Sequence, residues 1–174
     1  MATLPSAIPD EVQLAKPLNW LPRAIRQPDN VVQALAVTWL TTFPLSIVLA
    51  LLIGLVAPDV PQPQFNMSGA LAIFLLAVFA PVVETLIMGA ALLVLLRLFS
   101  PTVAILVSAL GWGIAHSLQA PTWGLVIWWP FLVLSTLFVA WRQRSLGAAF
   151  LMPMVAHGLH NLPTAILVAN GINV

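Results

Sequence analysis

The chain has no cysteine and no tyrosine, and charge is almost as scarce: six Lys or Arg and five Asp or Glu in 174 residues, for a net charge of +1. Without cysteine there can be no disulfide scaffold, no cysteine zinc cluster and no iron–sulfur site. The shortage of charge excludes more. A soluble domain is about 25% charged, whereas this chain is 6% charged and 61% apolar. That is too few charges to coat a water-soluble surface and too much apolar character for disorder. With no basic block, nucleic acid is excluded as a partner. An integral membrane protein remains, with lipid as its first partner.

A membrane-spanning helix needs about 20 mostly apolar residues. The apolar stretches predict an all-α, polytopic membrane helix bundle of about five transmembrane helices, near 33–57, 70–98, 101–119, 123–141 and 146–169. Gln119-Ala120-Pro121-Thr122 makes the turn between the third and fourth. With this count, Lys16, Arg23, Arg26, Arg97, Arg142 and Arg144 all fall on one side. The connections 58–69 and 119–122 and the C-terminus carry no Lys or Arg. The positive-inside rule then predicts a multi-pass protein with its N-terminus in the cytoplasm and its C-terminus outside. Trp123 and Trp141 bracket the fourth span as interfacial anchors would.

Residues 1–32 read as a separate N-terminal segment, 33–174 as the membrane domain. The segment holds five of the fifteen prolines and six of the eleven charges. Lys16-Pro17-Leu18-Asn19-Trp20-Leu21-Pro22-Arg23 mixes apolar, aromatic and basic groups. It suits either a segment lying on the cytoplasmic lipid surface or a disordered tail, and it lacks the apolar core of a secretory signal. The Pro-rich 58–69 connection is expected to be stiff and extended.

Ionisable groups inside a span are costly and usually functional. Here they are Glu84 in the second span, His116 in the third, and His157 and His160 in the fifth, joined there by Asn161. At 1.5 Å per residue from the basic side, Glu84 lies about 20 Å deep, His116 about 22 Å, and His157 and Asn161 about 17 and 22 Å. Three helices thus place polar groups within one turn of the same level, as a single buried site requires. His157 and Asn161 are i, i+4 and share a face, with His160 beside it; Trp112 is i−4 from His116. Pro81 and Pro153 each weaken a backbone hydrogen bond near the site, and Gly111, Gly113 and Gly158 permit close helix approach. Each residue also has a structural reading: a protonated carboxyl bonded to a neighbouring helix, a satisfied core histidine, or an Asn serving as interhelical glue.

Ala80-Pro81-Val82-Val83-Glu84, Trp112-Gly113-Ile114-Ala115-His116 and His157-Gly158-Leu159-His160-Asn161, in that order, resemble the CPBP intramembrane proteases, the CAAX-protease and bacteriocin-processing or Abi family. The family pattern is EExxxR, FxxxH and HxxxN on successive helices of a four-helix core, and the resemblance covers about residues 70–165. It implies a hydrolase, an intramembrane endopeptidase cutting a peptide or protein substrate. By that resemblance Glu84 and His116 activate the attacking water, and His157 and Asn161 stabilise the oxyanion. Trp112, His160 and Thr85 would line the site around them. Thr85 stands where the pattern has its second Glu, and Gly89 where it has Arg. An alternative is therefore a catalytically degenerate CPBP-like scaffold, or an assembly subunit of a larger membrane complex.

No cofactor is required by the glutamate-type reading. Glu84, His116 and His157 also make a Glu/His₂ set of the kind that holds zinc with an open position for water, though without a HExxH pair. Haem or chlorophyll ligation by His116, His157 or His160 ranks below these. So does an ion relay, since repeated halves and paired broken helices are missing from the sequence.

Overall fold

The computed structural model describes Val12, Leu14 and residues 18–172. Lys16 and Pro17, part of the N-terminal pattern above, lie outside the described residues. Among the described residues the protein is all-α, with six helices and no strand: α1 Arg23–Arg26, α2 Val31–Val56, α3 Gly69–Leu98, α4 Pro101–Ser117, α5 Gly124–Trp141 and α6 Leu146–Ala169. Three of them, α2, α3 and α5, are long and apolar enough to cross a membrane by length and composition. Helix α4 is a shorter apolar helix of 17 residues. Helix α6 has 24 residues, but Pro153, His157, His160, Asn161 and Pro163 lower its hydropathy. The protein is an integral membrane protein with several spans. The polar residues that make α6 interesting also make it the least apolar of the long helices.

Local chemistry sets the helix ends. The Asn30 side chain accepts from Gln33 N at 2.9 Å to open α2, and Ser145 Oγ accepts from Ala148 N at 3.0 Å to open α6. Pro101 starts α4 at a position where its missing N–H costs nothing.

Helix α2 has a pattern that lipid permits. On α2 the buried residues are Ala34, Thr38, Thr42 and Ser46, spaced four apart, while Leu51, Leu55 and Val56 point outward. Without water to drive apolar groups inward, small residues at the interface bring helices close. Helix α5 is the centre: every residue from Trp129 to Trp141 is buried, and α1, α2, α3, α4 and α6 all pack on it. It lies so close to α4 that a Cβ on Gly124 would strike the Gly113 carbonyl. One helical stretch further along, Ser108 and Ser135 share a hydrogen bond of 2.9 Å between the two helices.

The described part of the N-terminal segment packs on the bundle. Leu18, Leu21 and Ile25 are buried in the core, and Trp20 stacks on Trp129 of α5 at 5.7 Å. Arg144 clamps the segment from the α5–α6 connection by donating to the carbonyls of Pro28 and Asp29. Leu18, Leu21 and Ile25 thus join the same core as the buried residues of α5. The two predicted anchors both make contacts within the bundle. Trp141 is buried, with the Arg144 guanidinium 5.6 Å from its ring, and Trp123 packs on His116.

Helix α6 meets α3 at Gly158, where a Cβ would come 2.7 Å from the Ala77 carbonyl oxygen. The obstacle is backbone, so it cannot rotate away. Gly158→Ala should force the helices apart and cost about 1–3 kcal/mol, read as a lower Tm in detergent micelles. Gly111→Ala, with nothing within 4 Å of the added atom, should leave the Tm unchanged or slightly raised.

Candidate active site

Helix α3 is not α-helical throughout. Residues Leu75–Phe79 form a π turn, in which Ala80 N donates five residues back, to Leu75 O. Leu76 O has thereby lost its normal donor, Ala80, and its next neighbour in line, Pro81, has no N–H. In a low-dielectric interior such a carbonyl needs a partner. Asn161 of α6 supplies it, with Nδ2 donating to Leu76 O at 3.0 Å. The first and third sequence motifs are thus joined through a backbone oxygen that the π turn and Pro81 set free.

One turn beyond Pro81 stands Glu84, with its side chain 25% exposed. Its Oε2 lies 3.7 Å from Nε2 of His157, which is almost fully buried. Two residues from different helices, chosen in the sequence for equal depth, therefore meet. His157 Nδ1 is buried and has no hydrogen-bond partner among the described residues.

His116, at the end of α4, donates from Nδ1 to the Trp112 carbonyl at 2.9 Å. A carbonyl can only accept, so the proton sits on Nδ1 and Nε2 keeps its lone pair. Trp123 lies edge-on to this imidazole at 4.6 Å, and Trp112 and Phe131 both lie 5.8 Å away. Phe131 of α5 also stacks on Trp112 at 4.3 Å and meets His157 edge-on at 5.3 Å. It is the ring that His116 and His157 have in common. Phe65, from the connection before α3, packs edge-on against Trp123 at 6.0 Å.

The remaining predicted residues divide. His160 turns to α2, with Nδ1 3.0 Å from Thr42 Oγ1. Thr85 is fully buried, and its hydroxyl has no partner among the described residues. Gly89, one turn on from Thr85, faces the Phe150 and Phe138 rings, which crowd the place a Cβ would take. Phe138 and Phe150 themselves meet edge-on at 5.1 Å. The space for an arginine at position 89 is filled by aromatic carbon.

Among the described residues, no group of three His, Asp or Glu side chains is gathered as a metal would need. Glu84, His116 and His157 as placed do not make a three-ligand zinc set. What the cluster offers is a carboxyl group beside an imidazole, and a second imidazole with a free nitrogen, under an aromatic cover that limits water.

Sequence reasoning passed over Thr42 and Phe131. Thr42 had a signal, the recurrence of Ala34, Thr38, Thr42 and Ser46 at every fourth residue. Phe131 had none, since a phenylalanine in an apolar span looks like any other.

The Asn161 bond is measurable. Asn161→Leu keeps the bulk and strands the Leu76 carbonyl, which should cost about 1–3 kcal/mol. Thermal or denaturant unfolding in micelles would register it.

Residues 66–163 match the Rce1-like family, type II CAAX prenyl endopeptidases. No curated protein and no solved structure matches the chain. The match runs from just before α3 to Pro163 of α6, more than half of the chain, and contains the Glu84–His157 contact, His116 and the Asn161 tie. On that extent and that content, the chain belongs to the Rce1-like CAAX endopeptidase family.

Proposed function

We propose that the protein is an intramembrane endopeptidase that hydrolyses a peptide bond of a protein substrate by direct attack of water. The observation that carries this reading is the approach of Glu84 Oε2 to His157 Nε2 at 3.7 Å, between two helices and within the family match. Glu84 and the free Nε2 of His116 are the bases for the attacking water. As the water oxygen bonds to the scissile carbonyl carbon, its proton passes to the Glu84 carboxylate. His157 donates to the developing oxyanion, in a site where a well-aimed donor is worth more than in water. Collapse breaks the C–N bond, and the departing amine takes a proton from the same acid. The products are a new carboxylate and a new amine. Asn161 has committed one amide proton to Leu76 O; its other proton remains for the oxyanion, beside His157.

Cleavage of fluorescence-quenched transmembrane peptides by the protein in liposomes tests this. Glu84→Gln and His116→Ala should each lower the rate by about a hundredfold or more. Unchanged cleavage in both removes the reading. The second reading, a degenerate scaffold within a larger membrane complex, is favoured by Thr85 and by the ring-filled space at Gly89. A complex that co-purifies and tolerates Glu84→Gln, with no cleavage by the parent protein, would establish it.

We place the N-terminus in the cytoplasm. Arg97 lies in the last turn of α3, and Arg142 and Arg144 lie between α5 and α6, so these basic residues share one end of the bundle. The absence of cysteine gives a clean background for labelling. Gln143→Cys should be protected from an impermeant maleimide in intact cells, and Gln64→Cys should react. The reverse pattern would invert the topology.

A further inference from the structure

We propose that Thr42 and His160 are positioning residues: through their hydrogen bond α2 holds the stretch of α6 that carries His157 in register with Glu84. Helix α2 lies outside the 66–163 family match, so the site takes part of its geometry from a helix beyond the family domain.

The need for outside support comes from α6 itself. Pro153 and Pro163 both lie inside this helix. Proline has no N–H, so Ala149 O loses its donor at one end and Leu159 O at the other. The residues between, with His157, His160 and Asn161, sit in a stretch whose backbone ladder is broken on both sides. A helix in that condition is set by what grips it.

Among the described residues, three side-chain bonds grip it. Asn161 holds it to α3. The other two come from α2. Trp39 Nε1 donates at 3.1 Å to Leu159 O, the carbonyl that Pro163 leaves free. Thr42 Oγ1 lies 3.0 Å from His160 Nδ1. The direction of this last bond follows from the others that the hydroxyl makes: its only proton is directed to carbonyls of its own helix, Thr38 O at 2.9 Å and Trp39 O at 3.4 Å. Its oxygen therefore accepts from His160, which is held with its proton on Nδ1. Phe43 closes on the same imidazole edge-on at 5.9 Å.

His157 has no hydrogen bond of this kind among the described residues. Its Nδ1 is without a partner there, and the Phe131 ring meets it by packing alone. Where its Nε2 points is decided by the α6 backbone three residues before His160. Loosening the Thr42–His160 bond should therefore move His157 relative to Glu84 without touching either.

The kinetic arm of the test rests on the endopeptidase reading; the spectroscopic arm does not. Thr42→Val removes the hydroxyl and keeps the shape, while Thr42→Ser keeps the hydroxyl. In the liposome cleavage assay Thr42→Val should lower kcat about tenfold with KM within about twofold, as misplacement of a reacting group does. Thr42→Ser should restore kcat. In micelles, ¹⁵N spectra of the histidine side chains should show the His157 and His160 signals displaced in Thr42→Val and returned in Thr42→Ser. Should Thr42→Val not fold, His160→Leu against His160→Asn, which keeps a donor near the Nδ1 position, puts the same question. Unmoved His157 signals with unchanged kcat in Thr42→Val overturn the proposal, as does a Thr42→Ser protein as impaired as Thr42→Val. If the parent protein does not cleave, the endopeptidase reading fails, and the His157 signal alone decides whether α2 sets the register.

Discussion

A backbone carbonyl that loses its helical donor inside a membrane has no water to turn to, and this constraint organises the protein. Each unsatisfied group there costs several kcal/mol. The chain creates such groups repeatedly. Pro163 frees Leu159 O, and the π turn with Pro81 frees Leu76 O. The indole of Trp39 takes the first and the amide of Asn161 takes the second. Both repairs cross from one helix to another. What looks like damage to single helices is the means by which α2, α3 and α6 are tied together, in a solvent that offers no hydrophobic drive to do so.

The site grows out of the same device. Glu84 lies one turn beyond Pro81, and His157 one turn before Asn161. When Asn161 reaches Leu76 O and Gly158 lets α6 close on Ala77, the carboxyl and the imidazole are brought to 3.7 Å. His116 arrives from α4, which is pinned to α5 by the Gly113–Gly124 contact and the Ser108–Ser135 bond. Phe131 of the buried α5 then serves both imidazoles. The polar centre is thus specified by close backbone approach and by repaired carbonyls more than by bonds among its own side chains.

How much of this the sequence discloses depends on the kind of signal. Apolar runs and their caps mark the helices well, because length and hydropathy act locally. Depth alone could group Glu84 with His116, His157 and Asn161, but it could not say that His157 is the imidazole that meets the carboxyl. The destination of Asn161 was hidden, since a π turn leaves no mark on composition; Pro81 was the only hint. The inward turn of Trp141 and the burial of Leu18, Leu21 and Ile25 were hidden for another reason. Hydropathy reports that a residue avoids water, and in a membrane protein it does not say whether lipid or a neighbouring helix takes it in. The inner face of α2 went unread because Thr38, Thr42 and Ser46 are too mildly polar to stand out, although their spacing of four places them in one row.

The two departures from the family pattern act as one change. Thr85 and Gly89 are one turn apart on the buried side of α3. If a Glu and an Arg at these positions pair, removal of one alone would leave a charge in low dielectric, at about 3–5 kcal/mol. Here both are absent. Gly89 leaves room for the Phe138 and Phe150 rings, which close edge-on over it, and the Thr85 hydroxyl is a far cheaper group to bury than a carboxylate. The face of α3 that carries these two positions is packed, at Gly89, against aromatic carbon from α5 and α6. Glu84 is on the adjoining, partly exposed face of α3, next to Thr85 in sequence but turned to His157. Repacking behind it therefore leaves the Glu84–His157 approach in place, with aromatic carbon filling the face of α3 where the pattern would carry charge.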